Sequence, residues 1–329
     1  MDDRRARDLE RAVAAVRAAA LAVARLGDPA SFATAAVVEK GGRGPATVAD
    51  LASQAVIVKA LRAADGVDAA IVAEESAEDV DALGGGPLWD LVVRAVRAVD
   101  AGVSPASVRG LLATDAPTPA HGRCWTIDPL DGTKGYLRGG QFAIALALLE
   151  EGVPVIGVLG LPRLPARGEG IGAGTVISAV LGRGAMQADL DGGRWARVTA
   201  HAWRPGLPIR LAGSVERAHS TTDSIEAALA ALGPVTAVRV DSQAKYGLVA
   251  RGDADVYVRS SPDRAYREWI WDHAAGALIA QEAGATVTDL RGRPLSFAEG
   301  RRLESAEGVL CAPPALHGAA LSALGSVAK

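Results

Sequence analysis

Two aspartates on either side of a proline, in Asp128-Pro129-Leu130-Asp131, follow a short β-prone run that begins at Trp125. Proline fixes its own φ and disfavours helix at the residue before it, so we expect a bent, extended turn here. Such a turn can aim both carboxylates and the intervening Leu130 carbonyl at one point. Hard cations such as Mg²⁺ prefer oxygen ligands of this kind. The turn therefore predicts a metal site.

Gly132 and Thr133 follow at once, where a helix could begin. Their backbone N–H groups and the Thr133 hydroxyl could hold an anion at the start of that helix, because the first N–H groups of a helix lack internal partners. This predicts a phosphate site beside the cation site. Taken alone, however, the pattern D-P-x-D-G is equally typical of an ordinary surface turn.

The longer stretch W-T-I-D-P-L-D-G-T-K-G-Y-L-R-G-G-Q-F-A resembles the signature of the lithium-sensitive, magnesium-dependent phosphatase superfamily, which includes the inositol monophosphatases. The part K-G-Y-L-R-G-G-Q resembles the 3′(2′),5′-bisphosphate nucleotidase branch in particular. The resemblance implies an α/β (α+β) fold, the layered αβαβα sandwich of the sugar phosphatases. It also implies two domains, 1–204 with most metal ligands and 205–329 with the nucleotide contacts and one metal aspartate.

Three further acidic positions, one of them followed by a second glutamate, have ordinary structural explanations on local grounds. Asp50 is the third residue of a predicted helix with Thr47 as N-cap, where a carboxylate closes a capping box. Glu74 and Glu75 end a buried strand, where acidic residues usually lie in a solvated loop. Asp272 is predicted in the first turn of a helix, where a carboxylate interacts favourably with the helix dipole.

The resemblance instead implies that all three bind metal. In the motif T-V-A-D-x-x-S-Q it makes Asp50 a ligand that also orients the attacking water, and it makes Glu74 and Asp272 further ligands. Together with the two aspartates of the turn these carboxylates would repel one another, so two or three Mg²⁺ ions are expected, with inhibition by Li⁺. Asp50 and Thr133 would accept the proton of the water, and hydrolysis would be direct.

Four residues resemble the nucleotide-contacting positions of this branch. Ser242 and Lys245 lie three apart in V-D-S-Q-A-K-Y-G-L, and Arg259 and His219 match further positions. Arginine and lysine suit a second, non-scissile phosphate. Singly, each would be an ordinary surface residue. The expected substrate site also includes Gly132, Thr133 and Asp272.

The implied activity is hydrolysis of adenosine 3′,5′-bisphosphate to AMP and phosphate, and of the related 3′-phosphoadenosine 5′-phosphosulfate. One alternative is an inositol phosphatase of the same superfamily. Another is a regulator that binds metal or nucleotide without catalysis. Phosphate release with and without magnesium would separate an enzyme from a regulator.

The composition is consistent with a small-molecule enzyme. The 329 residues carry a net charge of −3, so no nucleic-acid partner is predicted. The two cysteines, Cys124 and Cys311, give no disulfide framework and fit a reducing compartment. Arg17 and Arg25 interrupt the N-terminal apolar segment, so neither signal peptide nor membrane span is expected. We therefore expect a soluble cytoplasmic protein, either a monomer or a homodimer.

Overall fold

The computed structural model describes residues 3–27, 37–39, 45–63, 70–76, 78, 86–114, 121–165, 174–215, 219–263 and 265–327. The strands are β1 (Val37–Glu39), β2 (Pro45–Thr47), β3 (Ala70–Ala73), β4 (Arg123–Asp131), β5 (Ala143–Glu150), β6 (Val153–Leu161), β7 (Thr175–Val180), β8 (Gly184–Asp189), β9 (Gly192–Val198), β10 (Ile209–Gly213), β11 (Val235–Arg239), β12 (Val256–Arg259), β13 (Thr286–Thr288) and β14 (Val309–Ala312). The helices are α1 (Asp3–Ala24), α2 (Val48–Arg62), α3 (Pro87–Arg97), α4 (Pro105–Leu112), α5 (Thr133–Leu137), α6 (His219–Ala230), α7 (Ala244–Ala250), α8 (Ala274–Glu282) and α9 (Pro314–Val327).

The larger sheet has seven strands in the order β3-β4-β5-β6-β7-β8-β9. β3 and β4 are parallel, and the later neighbours are antiparallel. The apolar runs Phe142–Leu149 and Val153–Leu159 predict a hairpin. The structure confirms it between β5 and β6, with Glu151 and Gly152 at positive φ in its turn. β5 is buried almost throughout, because both faces of the sheet are covered.

Helices α1 and α2 pack on one face of this sheet, and α3 and α4 pack against α2. The apolar positions of α1 that the sequence spacing predicts, such as Val13 and Val16, are buried there. On the other face, α7 and α8 lie between the two sheets. At Gly157 of β6 a side chain would lie 2.8 Å from the Ala275 carbonyl oxygen of α8, so only glycine permits this close approach.

The smaller sheet has five strands in the order β11-β10-β12-β14-β13. β10 pairs in parallel with β11 and β12, while β14 is antiparallel to its neighbours. Its outer face packs on α6 and α9 through residues such as Leu229 and Leu316. The layers therefore run helix, sheet, helix, sheet, helix, which confirms the predicted αβαβα sandwich.

The predicted domain boundary falls between the two sheets, since β9 ends at Val198 and β10 begins at Ile209. Division of the chain at residue 204 remains a prediction. In the part of the chain that the structure describes, no helix combines the length and apolar character that a membrane crossing requires.

The predicted start of the last helix before Gly284 was wrong. The sequence pattern predicts a helix from Trp269 to Ala283, but Ile270–Asp272 form a 3₁₀ turn and α8 begins only at Ala274. The break occurs at His273, whose φ of −135° is not helical and whose buried ring is held by hydrogen bonds. Asp272 consequently lies ahead of the α-helix rather than in its first turn.

Candidate active site

The Asp128–Asp131 turn lies at the end of β4. Pairing of β4 with β5 shifts its register between Asp128 and Asp131, around Pro129, which has no N–H to donate to the ladder. Asp128 is buried and its Oδ1 accepts a hydrogen bond from the Leu130 N–H at 3.2 Å. The Pro129 carbonyl accepts a hydrogen bond from Ser53 Oγ at 2.6 Å, which ties the turn to α2. The predicted bent, extended turn is thus a local irregularity in a strand.

α5 begins at Thr133, directly after this turn. Gly132 has a φ of +88°, and a side chain there would lie 3.0 Å from Ser242 Cβ. Glycine is therefore needed both for the left-handed backbone and for the approach of the segment that carries Ser242. The Thr133 hydroxyl lies 3.3 Å from the Leu130 carbonyl oxygen and 3.4 Å from Asp50 Oδ1.

Asp50 lies in the first turn of α2, where the predicted capping box is present. Its Oδ2 accepts hydrogen bonds from the Thr47 N–H at 2.8 Å and from the Thr47 hydroxyl. Its Oδ1 is the oxygen nearest to Thr133. Because the two oxygens of one carboxylate have different neighbours, the capping role and a role in the site are compatible.

Glu74 directly follows β3, and its N–H donates to the Ile127 carbonyl oxygen of β4 at 3.1 Å. The next residue, Glu75, is buried, and its backbone N–H and C=O pair with the side-chain amide of Gln54 at 3.1 and 2.9 Å. Glu74 thus leaves the sheet beside the strand that carries Asp128.

Asp128 lies within electrostatic range of the other four predicted metal carboxylates. Burial raises the pKa of Asp128 well above its usual value, and the charges of Glu74, Asp131, Asp272 and Asp50 raise it further. A raised pKa means that the protonated form is favoured when nothing else balances the charge. The cluster therefore favours protons or cations.

Asp131 and Asp272 have raised pKa values for the same first reason, which is burial. For Asp131, the charge of Lys245 and a hydrogen bond from the Gln243 N–H to Oδ2 at 2.5 Å act in the opposite direction. For Asp272, the opposing charge is that of Arg259, whose Nη2 lies 3.7 Å from Asp272 Oδ2. Cationic side chains thus border one side of the cluster.

The cationic side chains that the sequence predicts to bind substrate, Lys245 and Arg259, lie on this side. Lys245 is buried, its Nζ lies 3.3 Å from the Ser242 carbonyl oxygen, and burial lowers its pKa to about 8 although neighbouring aspartates act to raise it. Arg259 ends β12 and pairs with Glu268 at 2.7 Å. Ser242 itself has a φ of +74°, in the loop that meets Gly132.

A cavity of about 340 Å³ opens at these cations. Such a volume suits a small-molecule ligand. Its wall combines apolar surface with hydroxyl groups, two cations and the carboxylate of Glu268, which pairs with one of these cations. The lining residues that bear on a ligand are Leu211, Ile225, Lys245, Tyr257, Arg259 and Tyr266.

His219 begins α6. Its side chain lies outside the described part of the structure, so its predicted nucleotide contact stays a prediction.

Glu268 belongs to a buried network that the sequence did not predict. Its Oε2 lies 2.7 Å from Arg259 and 3.4 Å from His273 Nε2, while His273 Nδ1 lies 2.8 Å from the Tyr246 hydroxyl. Burial alone would raise the pKa of Glu268, but His273 and Arg259 lower it to about 2. Glu268 and His273 lie close enough to Asp272 to share a cation with it. The charge of Glu268, however, is already balanced by Arg259. In the sequence Glu268 stands between Arg267 and Trp269, and no local pattern distinguishes it from an exposed charge.

The comparisons with known proteins agree with this fold. The chain matches the model of the inositol monophosphatase family over residues 7–328. It is 37% identical over 322 aligned positions to a 3′(2′),5′-bisphosphate nucleotidase of Emericella nidulans, with 89% of this chain and 91% of that protein covered. It is 38% identical to a rice protein of the same name, over 78% of this chain and 76% of the rice protein.

Among solved structures, CysQ from Bacteroides thetaiotaomicron superposes with a TM-score of 0.61 at 24% identity, over 93% of this chain and 97% of CysQ. An IMPase of Thermotoga maritima gives a TM-score of 0.64 at 19% identity, over 98% of both chains. At these identities the structures show a shared fold. The protein belongs to the inositol monophosphatase family, a family of phosphatases.

Proposed function

We propose that this protein is a 3′(2′),5′-bisphosphate nucleotidase, which hydrolyses adenosine 3′,5′-bisphosphate to AMP and phosphate. One observation carries the proposal: the cavity that contains Lys245 and Arg259 opens next to the carboxylate cluster, with Arg259 3.7 Å from Asp272. A cation site and a cationic cavity side by side suit a ligand with two separate phosphates. The names of the curated relatives, which share 32–38% identity, support the same activity.

The donor set fits divalent cations. Every group in it is an oxygen, and burial together with four neighbouring carboxylates raises the pKa of Asp128, a setting that an added cation would stabilise. Two or three Mg²⁺ ions would be held by Asp50, Glu74, Asp128, the Leu130 carbonyl, Asp131 and Asp272. When bound, they would supply Lewis-acid chemistry, which makes water more acidic and stabilises the leaving oxygen. Inhibition by Li⁺ belongs to this proposal.

Asp50 and Thr133 would take up the proton of the attacking water. The Thr133 hydroxyl lies between the Leu130 carbonyl and Asp50 Oδ1, so it can donate to either oxygen and accept from a water. Proton acceptance by positioned groups contributes about 10²–10⁴-fold in rate. The N–H groups of Gly132 and Thr133 would hold the phosphate that is cleaved.

The second phosphate and the nucleoside would occupy the cavity. Lys245 and Arg259 would pair with the phosphate that is retained, and Ser242 and His219 would contact the nucleotide. The apolar part of the wall, which includes Leu211 and Ile225, would cover the base. A cytoplasmic location and a monomeric or homodimeric state complete the proposal.

A phosphate-release screen tests the proposed function. Adenosine 3′,5′-bisphosphate, 3′-phosphoadenosine 5′-phosphosulfate, inositol 1-phosphate and fructose 1,6-bisphosphate are compared with and without Mg²⁺. We expect Mg²⁺-dependent release that is fastest from the adenosine bisphosphate. Faster release from inositol 1-phosphate would overturn the substrate, and no release from any compound with Mg²⁺ present would favour a regulator.

A further inference from the structure

We infer that Arg301 and Gln54 are positioning residues, which hold the main chain around Glu74 in register with Asp272 on one side and Asp50 on the other. This inference rests on the proposed function, because it takes Glu74 as a metal ligand. The main chain at this point leaves the sheet. β3 ends at Ala73, and the Glu74 N–H makes one further bond to β4.

Gln54 holds the segment from the side of α2. Its amide both donates to the Glu75 carbonyl at 2.9 Å and accepts from the Glu75 N–H at 3.1 Å, and its side chain is fully buried. Gln54 lies four residues after Asp50, which is one helical turn along the same face. The two hydrogen bonds thus fix the distance between the helix that carries Asp50 and the residue after Glu74.

Arg301 holds the segment from the opposite side. Its Nη2 donates to the Ala73 carbonyl oxygen at 2.7 Å, one residue before Glu74. The same guanidinium lies 4.9 Å from the centre of the Trp271 ring, one residue before Asp272. Its own carbonyl accepts from the Ile270 N–H at 3.1 Å, so Arg301 is anchored to the 3₁₀ turn as well.

One planar cation therefore connects the residues that precede two carboxylates of the cluster. Glu74 follows a strand of the larger sheet, whereas Asp272 lies in the 3₁₀ turn before α8. The two residues are 198 positions apart in the chain. Arginine suits this role because it donates hydrogen bonds in its plane and stacks on an aromatic ring with its face. Residues that orient metal ligands typically change metal affinity or activity about 10–100-fold when they are replaced.

Arg302 provides a matched control. It makes the same two kinds of contact, a ring contact with Trp269 at 3.3 Å and a hydrogen bond to the Arg267 carbonyl, but neither partner is adjacent in sequence to Glu74 or Asp272. Loss of either arginine removes a hydrogen bond to the main chain; loss of Arg301 removes one cation–aromatic contact, and loss of Arg302 removes two, because Arg302 also lies 5.7 Å from the centre of the Tyr266 ring. A role limited to general stability predicts similar behaviour for Arg301→Met and Arg302→Met.

The experiment measures Mg²⁺ binding to the substrate-free protein by calorimetry, together with the melting temperature of the metal-free protein. We expect Arg301→Met to weaken Mg²⁺ binding about 10–100-fold, Arg301→Lys to weaken it less, and Arg302→Met to leave it unchanged. Wild-type Mg²⁺ affinity in folded Arg301→Met would overturn the role of Arg301, whatever its melting temperature.

Two further variants keep the inference testable if Arg301→Met does not fold. Arg301→Lys retains the charge without the planar stack, and Gln54→Glu retains the acceptor for the Glu75 N–H but not the donor. Each should bind Mg²⁺ more weakly than wild type, and wild-type affinity in both would overturn the inference. Wild-type protein that binds Mg²⁺ but releases no phosphate would refute the proposed function alone, whereas wild-type protein without Mg²⁺ binding would refute both.

Discussion

The Thr133 hydroxyl lies 3.4 Å from Asp50 Oδ1, although the two residues are 83 positions apart in the chain. The other oxygen of the same carboxylate closes the capping box with Thr47. The cap fixes the rotation of the carboxylate, and this rotation points Oδ1 at Thr133. A local helix-capping interaction therefore orients a group of the candidate active site.

The first prediction tests this pair. Thr133→Val keeps the shape of the side chain but removes the hydroxyl, so we expect kcat to fall about 10²–10⁴-fold because proton acceptance is lost. Thr133→Ser keeps the hydroxyl and should retain most of the activity. The measurement is steady-state phosphate release at saturating Mg²⁺. Equal activity of the valine and serine variants would show that the hydroxyl has no part in the reaction.

The second prediction concerns the charge of the cluster. Asp128→Asn should reduce Mg²⁺-dependent hydrolysis by at least about 10²-fold and raise the melting temperature of the metal-free protein, because it removes a buried charge from among four others. Asp289→Asn is the matched control. This buried aspartate is paired with Arg293 outside the site, so its replacement should lower the melting temperature and leave activity intact.

Calorimetry and an activity assay on the same two proteins decide the second prediction. Normal turnover by a folded Asp128→Asn protein would refute the metal assignment. A melting temperature of metal-free Asp128→Asn below that of the wild type would show that the carboxylates of the cluster do not repel one another strongly.

The sequence singled out the carboxylates of the candidate site but not the groups that hold the main chain around them. Asp128, Asp131 and Thr133 belong to one continuous motif, so their proximity follows from the local backbone. The contacts of Arg301 with Ala73 and of Gln54 with Glu75 join segments 228 and 21 residues apart, and no local pattern encodes them. They depend on how the layers pack.

The same distinction applies to the fold. Long apolar runs predicted the β5–β6 hairpin, because a strand covered on both faces needs continuous apolar residues. β9 was not predicted, since its sequence G-G-R-W-A-R-V is half polar and lies at the edge of the sheet. The 3₁₀ turn before α8 was missed because the hydrogen bonds of the His273 ring, which are tertiary, interrupt a locally helical pattern.

The third prediction is that the stability of the metal-free protein depends on pH and that Mg²⁺ removes this dependence. Asp128, Asp131 and Asp272 have folded-state pKa values above the ordinary value of 3.8, so the folded protein binds more protons than the unfolded chain above that pH. Their contribution to stability is full below pH 3.8 and is lost as the pH rises through the folded-state pKa values. Each proton contributes at most about 1.4 kcal/mol per pH unit.

Urea unfolding at several pH values between 5 and 8, with a chelator or with Mg²⁺, measures this effect. The difference in unfolding free energy between the two conditions should grow with pH, because the cation replaces the protons. Carboxylates outside the cluster, such as Asp255, contribute equally to both conditions and cancel. A difference that does not change with pH would refute the coupling between the cluster and the cation.

The last prediction concerns specificity, which the carboxylate cluster alone cannot supply, since any phosphate monoester offers it one phosphate. Lys245 and Arg259 line the cavity beside the cluster and would bind the second phosphate of a nucleoside bisphosphate. A hydrogen bond between charged groups contributes about 1.5–3 kcal/mol, so Lys245→Ala should lower kcat/KM for adenosine 3′,5′-bisphosphate about 10–100-fold. Hydrolysis of inositol 1-phosphate should be nearly unchanged. Lys59→Ala is the control, because Lys59 pairs with Asp100 at the far end of α2 and should affect neither substrate. If Lys245→Ala lowers kcat/KM equally for both substrates, Lys245 does not recognise a second phosphate, and the assignment of the cavity to the nucleotide is wrong.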